Sequence, residues 1–226
     1  ARFGDVGDFV GATGVFALPR GRSGFYPCLV GQAHGDLKQI SVARQRQRQR
    51  AGVAGRGEAV VHRAGPGHGL RRAVVRQLLA QGLTIACAES CTGGLLTSRL
   101  TDIAGSSAYV MGSVVSYTNR IKETLVGVQH ETLLAHGAVS EETAREMAEG
   151  IRRAIETDIG VGITGIAGPG GGTAAKPVGL VYIAVSGARG TRVTENHFHG
   201  TRAVVKRQTS DRALTLALDY LTEVQA

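Results

Sequence analysis

Apolar residues recur at helical spacing in three long stretches of the chain, at 70–82, 140–155 and 203–224. Residues three or four positions apart share one face of a helix, so each stretch predicts an amphipathic helix. Ser140 is placed to cap the second helix, because its hydroxyl can accept a hydrogen bond from a free N–H of the first turn. The predicted apolar faces comprise Val74, Leu78 and Leu79 in the first helix, Ala144, Met147, Ala148, Ile151 and Ile155 in the second, and Leu214, Leu218 and Leu221 in the third.

Continuous or alternating apolar runs between the helices predict strands at 83–89, 109–118, 158–165, 178–187 and 191–199. The last two runs are joined by Ala188–Gly190, which predicts a hairpin. Shorter helices are expected at 92–103 and 119–127, whereas 130–136 is interpreted as part of a polar connection. Strands that alternate with helices predict an α/β fold, specifically a three-layer α/β/α sandwich.

Residues 1–67 differ in composition from the rest of the chain. Glycine is dense there, no apolar period persists, and RQRQRQR at 44–50 is of low complexity. Most of the net charge of +8 belongs to this part, because residues 1–70 hold 10 Lys and Arg against 4 Asp and Glu. We interpret 1–67 as a disordered or non-native basic extension and 68–226 as the folded domain. If the extension is native, it is a basic arm that can contact an acidic surface or nucleic acid. Nucleic-acid binding is expected only from this part of the chain.

The overall composition narrows the class of protein. A chain of 226 residues with 42% hydrophobic residues can bury the core of one full domain. No apolar run approaches the roughly 18 residues of a membrane-spanning helix, and no secretory leader is recognised. Three cysteines at irregular spacing do not make a disulfide framework. We therefore expect a cytoplasmic protein with no membrane association.

The stretch CAESCTGG, residues 87–94, joins a predicted strand to a predicted helix. Ser90 is thus expected at the carboxyl end of the strand, the edge at which open α/β sheets bind ligands. Two interpretations stay open. Ser90 or Thr92 caps the helix, or Ser90 or Cys91 is a nucleophile whose oxyanion is held by free N–H groups of the turn. Gly93 would let the backbone approach a ligand closely.

A serine nucleophile needs a group that takes its proton. Histidine is the usual partner, but His130, His136, His197 and His199 lie in no motif of their own, and surface or structural roles are expected for them. Nor does a carboxylate or cysteine cluster complete a metal site around them. Lysine is the other possible base, since burial lowers its pKa. Lys122, in SYTNRIKETL, is the candidate, and a solvated surface charge is the competing interpretation.

A second candidate site is the glycine-rich stretch GITGIAGPGGG, residues 162–172, which follows a predicted buried strand. Its glycines and Thr164 suit a loop that surrounds a ligand, although it is neither a Walker loop nor a dinucleotide fingerprint. A flexible surface turn is the alternative for 170–172. Arg202 and Arg207, around the start of the last helix, either bind phosphate or carboxylate or are simply solvated.

These segments together resemble one family. From about residue 70 to 224 the chain is similar to the C-terminal domain of the CinA (competence/damage-inducible) family, also known as the nicotinamide-nucleotide amidohydrolase family. Residues 1–66 take no part in the resemblance. It runs through AESCTGG, TDIAGSS, VSYTNRIK, LVGV, HGAVSEE, GITGIAGPGGG, KPVGLVY and the stretch from Arg202 to Arg207.

The resemblance implies deamidation of nicotinamide mononucleotide to nicotinate mononucleotide and ammonia, in NAD recycling. It implies Ser90 as the nucleophile, Lys122 as the base and Tyr117 as a hydroxyl that hydrogen-bonds to this pair. It also implies that no metal or other cofactor is needed, and a homo-oligomer is compatible with it. A non-catalytic nucleotide-binding or regulatory domain linked to competence or DNA damage is the alternative. The implied substrate-binding residues are Thr92, Gly93, Ser106, Ser107, Thr164, Gly165, Gly168 and Arg207.

Overall fold

The computed structural model describes residues 68–223, so the predictions made for 1–67 lie outside the described residues. None of the helices in the described part is long and apolar enough to cross a membrane. The elements follow in the order α1 (His68–Gln81), β1 (Ile85–Glu89), α2 (Leu95–Thr101), a 3-10 turn (Ser106–Ala108), β2 (Val110–Val115), α3 (Asn119–Val126), α4 (His130–His136), α5 (Glu141–Ala154), β3 (Ile159–Gly165), β4 (Leu180–Gly187), β5 (Gly190–His197) and α6 (Arg202–Thr222).

The strands of this part form one sheet in the order β2-β1-β3-β4-β5. β1 pairs in parallel with both β2 and β3, and its Glu89 is level with Val115 of β2 and Ile163 of β3. These three strands therefore end at the same edge of the sheet. β4 runs antiparallel to β3 and forms the predicted hairpin with β5.

The alternation of side chains along β1 divides them between two apolar layers. Ile85 and Cys87 pack into a cluster with residues of α1, α2 and α6. Ala86 and Ala88 pack on the other face with residues of α3, α4 and α5. Helices thus cover both faces of a five-stranded sheet, and the predicted layered α/β fold is confirmed.

Two glycines of β3 explain how closely α5 approaches the sheet. A Cβ added at Gly160 would lie 2.1 Å from the carbonyl oxygen of Ala148, and one at Gly162 would lie 2.4 Å from that of Ala144. Both distances are far below the 3.5–4.0 Å or so at which non-bonded atoms attract each other. The glycines inside the strand therefore serve helix–sheet packing.

Ser140 caps α5 as predicted, since its hydroxyl accepts a hydrogen bond from the N–H of Thr143 at 3.1 Å.

One residue of the predicted apolar faces does not pack into the core as expected. Leu79 is 53% exposed, because successive residues are about 100° apart around a helix and Leu78 already points into the core.

The interpretation of 130–136 as part of a polar connection is wrong, because this segment forms α4 and buries Leu133. A seven-residue helix with one buried apolar side chain is too short for its period to be recognised. His197 is the last residue of β5 and His199 follows the strand, so the strand predicted at 191–199 ends two residues earlier than expected.

Candidate active site

The parallel strands bring three hydroxyl-bearing residues to one edge of the sheet. Ser90 follows β1, Ser116 follows β2, and Thr164 lies near the end of β3. The N–H of Ser90 donates to the carbonyl oxygen of Ile163 at 2.9 Å and so ties the turn after β1 to β3. The structure therefore places Ser90 at the carboxyl end of its strand, where the sequence pattern predicted it.

Lys122 reaches the same edge from α3. Its side chain is 1% exposed, and Nζ lies 3.2 Å from Ser90 Oγ and donates to the carbonyl oxygen of Ser116 at 2.7 Å. Burial lowers the pKa of Lys122 from 10.5 to about 8, because removal from water disfavours the charged form. Lys122 is thus not a solvated surface charge, and a sizeable fraction of it is neutral near pH 8.

Glu89 holds the beginning of α2. Its completely buried carboxylate accepts hydrogen bonds through one oxygen from the N–H groups of Gly94 and Leu96, each at 3.1 Å. The other oxygen accepts from the N–H and the hydroxyl of Thr97 at 2.8 and 2.7 Å. A negative charge at this position also suits the positive end of the helix. The side chain of Glu89 therefore caps α2.

The interpretation of Ser90 or Thr92 as the cap is therefore wrong. Gly94 is the N-cap residue of α2 and contributes no side-chain hydrogen bond. The hydroxyl of Thr92 is buried without a hydrogen-bond partner among the described residues. Because Glu89 supplies the capping acceptors, Ser90 Oγ stays available to Lys122.

We expect Glu89→Gln to lower the free energy of unfolding by about 2 kcal/mol, the usual cost of leaving a buried donor without its acceptor. The amide would turn a donor toward N–H groups that need an acceptor. Urea denaturation followed by circular dichroism measures the change. Glu141→Gln, an exposed change at the start of α5, is the matched control and should stay within about 0.5 kcal/mol of the parent. Equal stability of the two variants would contradict the capping role.

Cys91, the other nucleophile considered from the sequence, is not activated. Its side chain is 5% exposed, and burial raises the pKa of its thiol to about 12. The reactive form of cysteine is the thiolate, which is scarce at neutral pH in this setting. Of the two adjacent side chains, only Ser90 is hydrogen-bonded to the amine of Lys122.

A cavity opens in front of Ser90. Its lining contains the guanidinium of Arg202 and the titratable amine of Lys122 but no carboxylate, so it favours an anionic ligand. Within residues 68–223, no group of three or more His, Cys, Asp or Glu side chains is arranged to hold a metal ion. The lining consists of Ser90, Cys91, Tyr117, Lys122, Ala138, Val139, Thr164, Gly165, Ile166, Ala167, Gly168, Gly170, Gly171 and Arg202.

The structure brings together six of the residues implied by the resemblance. They are Ser90, Tyr117, Lys122, Thr164, Gly165 and Gly168. Five others do not line this cavity: Thr92, Gly93, Ser106, Ser107 and Arg207. Thr92 is buried beneath the turn. The two serines precede β2, which runs parallel to β1, so they lie at the opposite edge of the sheet from Ser90.

The arginine that lines the cavity is Arg202, and not Arg207 as the resemblance implied. It donates from Nη1 to the carbonyl oxygen of Gly168 at 3.0 Å and from Nη2 to the hydroxyl of Tyr117 at 3.2 Å. Tyr117 makes no hydrogen bond to Ser90 or Lys122 among the described residues, so the contact implied for it is replaced by one to Arg202. Arg207 is exposed and, five positions further along α6, points about 140° around the helix axis from Arg202.

The fold and the site define a class of layered α/β domains that carry a buried serine–lysine pair at the carboxyl edge of the sheet. The chain belongs to the CinA family, since residues 68–221 match the CinA C-terminal domain. This confirms the resemblance found in the sequence.

Curated relatives are longer than this chain. The CinA-like protein of Syntrophus aciditrophicus is 52% identical over 153 residues, which cover 67% of this chain and 36% of that protein. The competence-damage inducible protein of Moorella thermoacetica is 52% identical over 139 residues, which cover 62% and 34%. The chain thus spans about a third of the length of these relatives.

Solved structures match the whole domain. The competence/damage inducible protein CihA from Agrobacterium tumefaciens superposes with a TM-score of 0.68 at 40% identity, covering 73% of this chain and 100% of that chain. The competence damage-inducible protein A from Klebsiella pneumoniae superposes with a TM-score of 0.68 at 34% identity, covering 71% and 100%. At these identities the likeness supports the family as well as the fold.

Proposed function

We propose that this domain hydrolyses the carboxamide of nicotinamide mononucleotide to nicotinate mononucleotide and ammonia. The observation that carries the proposal is the contact of Ser90 Oγ with the buried Nζ of Lys122 at 3.2 Å. Burying a lysine costs free energy, and burial favours its neutral amine. A neutral amine beside a serine can activate the hydroxyl as a nucleophile, so this arrangement indicates a functional site. The substrate comes from the family resemblance, and the cationic lining of the cavity is consistent with a phosphate ester.

In the proposed reaction, neutral Lys122 accepts the hydroxyl proton of Ser90 while Ser90 Oγ attacks the carboxamide carbon. The carbonyl of Ser116 holds one N–H of the amine at 2.7 Å and so directs its lone pair toward Ser90. Collapse of the tetrahedral intermediate breaks the C–N bond, and protonated Lys122 returns its proton to the leaving nitrogen, which departs as ammonia. Water then attacks the acyl-enzyme with Lys122 again as base, releasing the nicotinate and restoring the hydroxyl of Ser90.

The oxyanion of each tetrahedral intermediate needs hydrogen-bond donors that are already in place. The N–H groups of Gly93 and Gly94 are engaged by Ser90 O and the carboxylate of Glu89. Those of Cys91 and Thr92 donate no hydrogen bond within the described part of the chain. Of these two residues only Cys91 lines the cavity, so its N–H is the donor that the turn can offer to the oxyanion.

Arg202→Ala is expected to raise KM for nicotinamide mononucleotide by about tenfold or more, the worth of a charge-assisted hydrogen bond to phosphate. Arg207→Ala is the matched control, because this arginine lies on the same helix but does not line the cavity. Steady-state ammonia release measures both. Nicotinamide riboside, which lacks the phosphate, should lose little in kcat/KM with Arg202→Ala. An equal loss for both substrates would contradict phosphate binding by Arg202.

The test of the proposed function is ammonia release from nicotinamide mononucleotide by the full chain, with mass-spectrometric detection of nicotinate mononucleotide. Turnover at a rate typical of metabolic enzymes, on the order of 1 per second or faster, is expected. The competing function is a regulatory domain that binds a nucleotide without turnover, a role compatible with the competence and damage terms in the relatives' names. Saturable binding of nicotinamide mononucleotide with no product formed would favour that function and contradict the proposed amidase activity.

The pH profile follows from the state of Lys122. Since its pKa is lowered to about 8 and the neutral form is the base, kcat/KM should rise with pH and level off above about 8. Below that value each unit of pH should cost about tenfold, because the neutral fraction falls by this factor. A rate constant that stays flat from pH 6 to 9 would show that a different group takes the proton of Ser90.

A further inference from the structure

Residues 136–139, which are the last residue of α4 and the first three of its connection to α5, form a segment here called the linker, and side chains hold it along its whole length. The carbonyl oxygens of His136 and Val139 both accept hydrogen bonds from Lys176 Nζ, at 2.5 and 2.7 Å. The carbonyl oxygen of Ala138 accepts from Thr164 Oγ1 at 2.5 Å. That of Gly137 accepts from the hydroxyls of Ser140 and Thr143 at 3.2 and 2.9 Å. Four consecutive carbonyls are therefore bound by side chains of the protein.

Lys176 connects the two sides of the cavity through these bonds. It lies on the returning arm of the loop between β3 and β4, whose first part lines the cavity from Ile166 to Gly171. The linker lines the cavity from another side through Ala138 and Val139. The half-buried amine of Lys176 thus joins the glycine-rich loop to the linker.

The contact between amine and backbone is close enough to constrain the linker residues. Gly137 has a φ of 75°, and a Cβ added there would lie 3.2 Å from Lys176 Nζ. A glycine at this position therefore permits both the left-handed backbone and the approach of the amine.

Binding of the carbonyls determines what the linker leaves free. In a trans peptide the N–H points opposite to the carbonyl of the preceding residue. The N–H groups of Ala138 and Val139 donate no hydrogen bond within residues 68–223. The polar groups that the linker leaves without any partner among these residues are therefore N–H donors, which suit the oxygen atoms of a phosphate or sugar.

We propose that Lys176 is a positioning residue that fixes the linker 136–139 against the glycine-rich loop, so that the N–H groups of Ala138 and Val139 can bind oxygen atoms of the substrate. The inference rests on the proposed function for the identity of that substrate. It assigns Lys176 no contact with the reacting atoms, because its amine is occupied by His136 and Val139.

The test compares Lys176→Met, Lys176→Arg and Arg76→Met in the full chain. Arg76→Met removes an exposed cation from α1 and is the control for loss of charge. Lys176→Met should raise KM for nicotinamide mononucleotide about tenfold and change kcat by less than about threefold, because binding of a non-reacting part of the substrate is lost uniformly. Lys176→Arg keeps the donors and should restore KM to within about threefold of the parent.

A second measurement does not depend on turnover. Hydrogen–deuterium exchange of the substrate-free protein should be faster by about threefold or more in the peptide covering 133–143 of Lys176→Met, since the linker opens locally more often. Unchanged exchange there, or a loss in kcat at constant KM, overturns the proposal. If the parent releases no ammonia, the proposed function fails. Exchange alone then decides whether Lys176 positions the linker.

Discussion

Replacing Ser90 by alanine is expected to lower kcat for ammonia release from nicotinamide mononucleotide by about a thousandfold or more, as removal of a nucleophile commonly does. The variant lacks the oxygen that forms the acyl-enzyme, while the cap of α2 by Glu89 and the register of β1 do not involve that oxygen. Single-turnover and steady-state ammonia assays measure the loss. Binding of the substrate to the variant should persist with similar affinity.

Cys91→Ala is the matched control, because it removes the neighbouring candidate nucleophile from the same turn. Since burial keeps this thiol protonated, we expect its loss to change kcat by less than about tenfold. Parent-like turnover by Ser90→Ala, or abolished turnover by a folded Cys91→Ala protein, would contradict the assignment of Ser90. Circular dichroism and thermal unfolding confirm that each variant is folded.

Replacing Lys122 by methionine is expected to lower kcat to a similar extent, about a thousandfold, because no other titratable group among the described residues contacts Ser90 Oγ. Methionine fills much of the buried volume without an amine. The rise of kcat/KM up to pH 8 should disappear from whatever activity remains, since the group that causes it is gone.

A double variant separates a catalytic pair from two independent effects. If Ser90 and Lys122 act in one proton transfer, the variant that lacks both should be no slower than either single variant. Lys122→Arg adds a second control, because guanidinium keeps the charge but cannot serve as a base near neutral pH. Multiplicative losses in the double variant, or activity retained by the arginine variant, would show that Lys122 is not the base.

Much of the fold was predictable because a long pattern of apolar residues indicates which face of a helix or strand is buried. The stripe from Ala144 to Ile151 is buried in α5, and the β4–β5 hairpin lies where two apolar runs meet around a glycine. α4 was missed, since its seven residues bury only Leu133. The pattern also could not tell that Leu79 faces solvent while Leu78 is in the core.

The candidate site likewise has a part that the sequence predicted and a part that it did not. Reactive side chains and glycines in motifs can be recognised in the sequence. For this reason the sequence predicted Ser90, Lys122 and the glycine-rich loop as parts of a site. Glu89 and Arg202 were visible as charges, but nothing in the sequence showed which charge would be buried or which would face the cavity. Ala138 and Val139 carry no functional group, and their contribution through the backbone leaves no pattern to recognise.

By itself the sequence determined the order of the strands and of every helix except α4, the family, and the placement of Ser90 at a strand end. These properties depend on local spacing, which a linear chain records. Only the tertiary structure decided that Lys122 is buried against Ser90, that Glu89 and not Ser90 caps α2, and that Arg202 lines the cavity. The contacts that decide them join residues that are 7 positions apart for Glu89 and Leu96, 32 for Ser90 and Lys122, and 85 for Tyr117 and Arg202. Burial, which lowers the pKa of Lys122 and raises that of Cys91, is a property of that assembly and not of either residue.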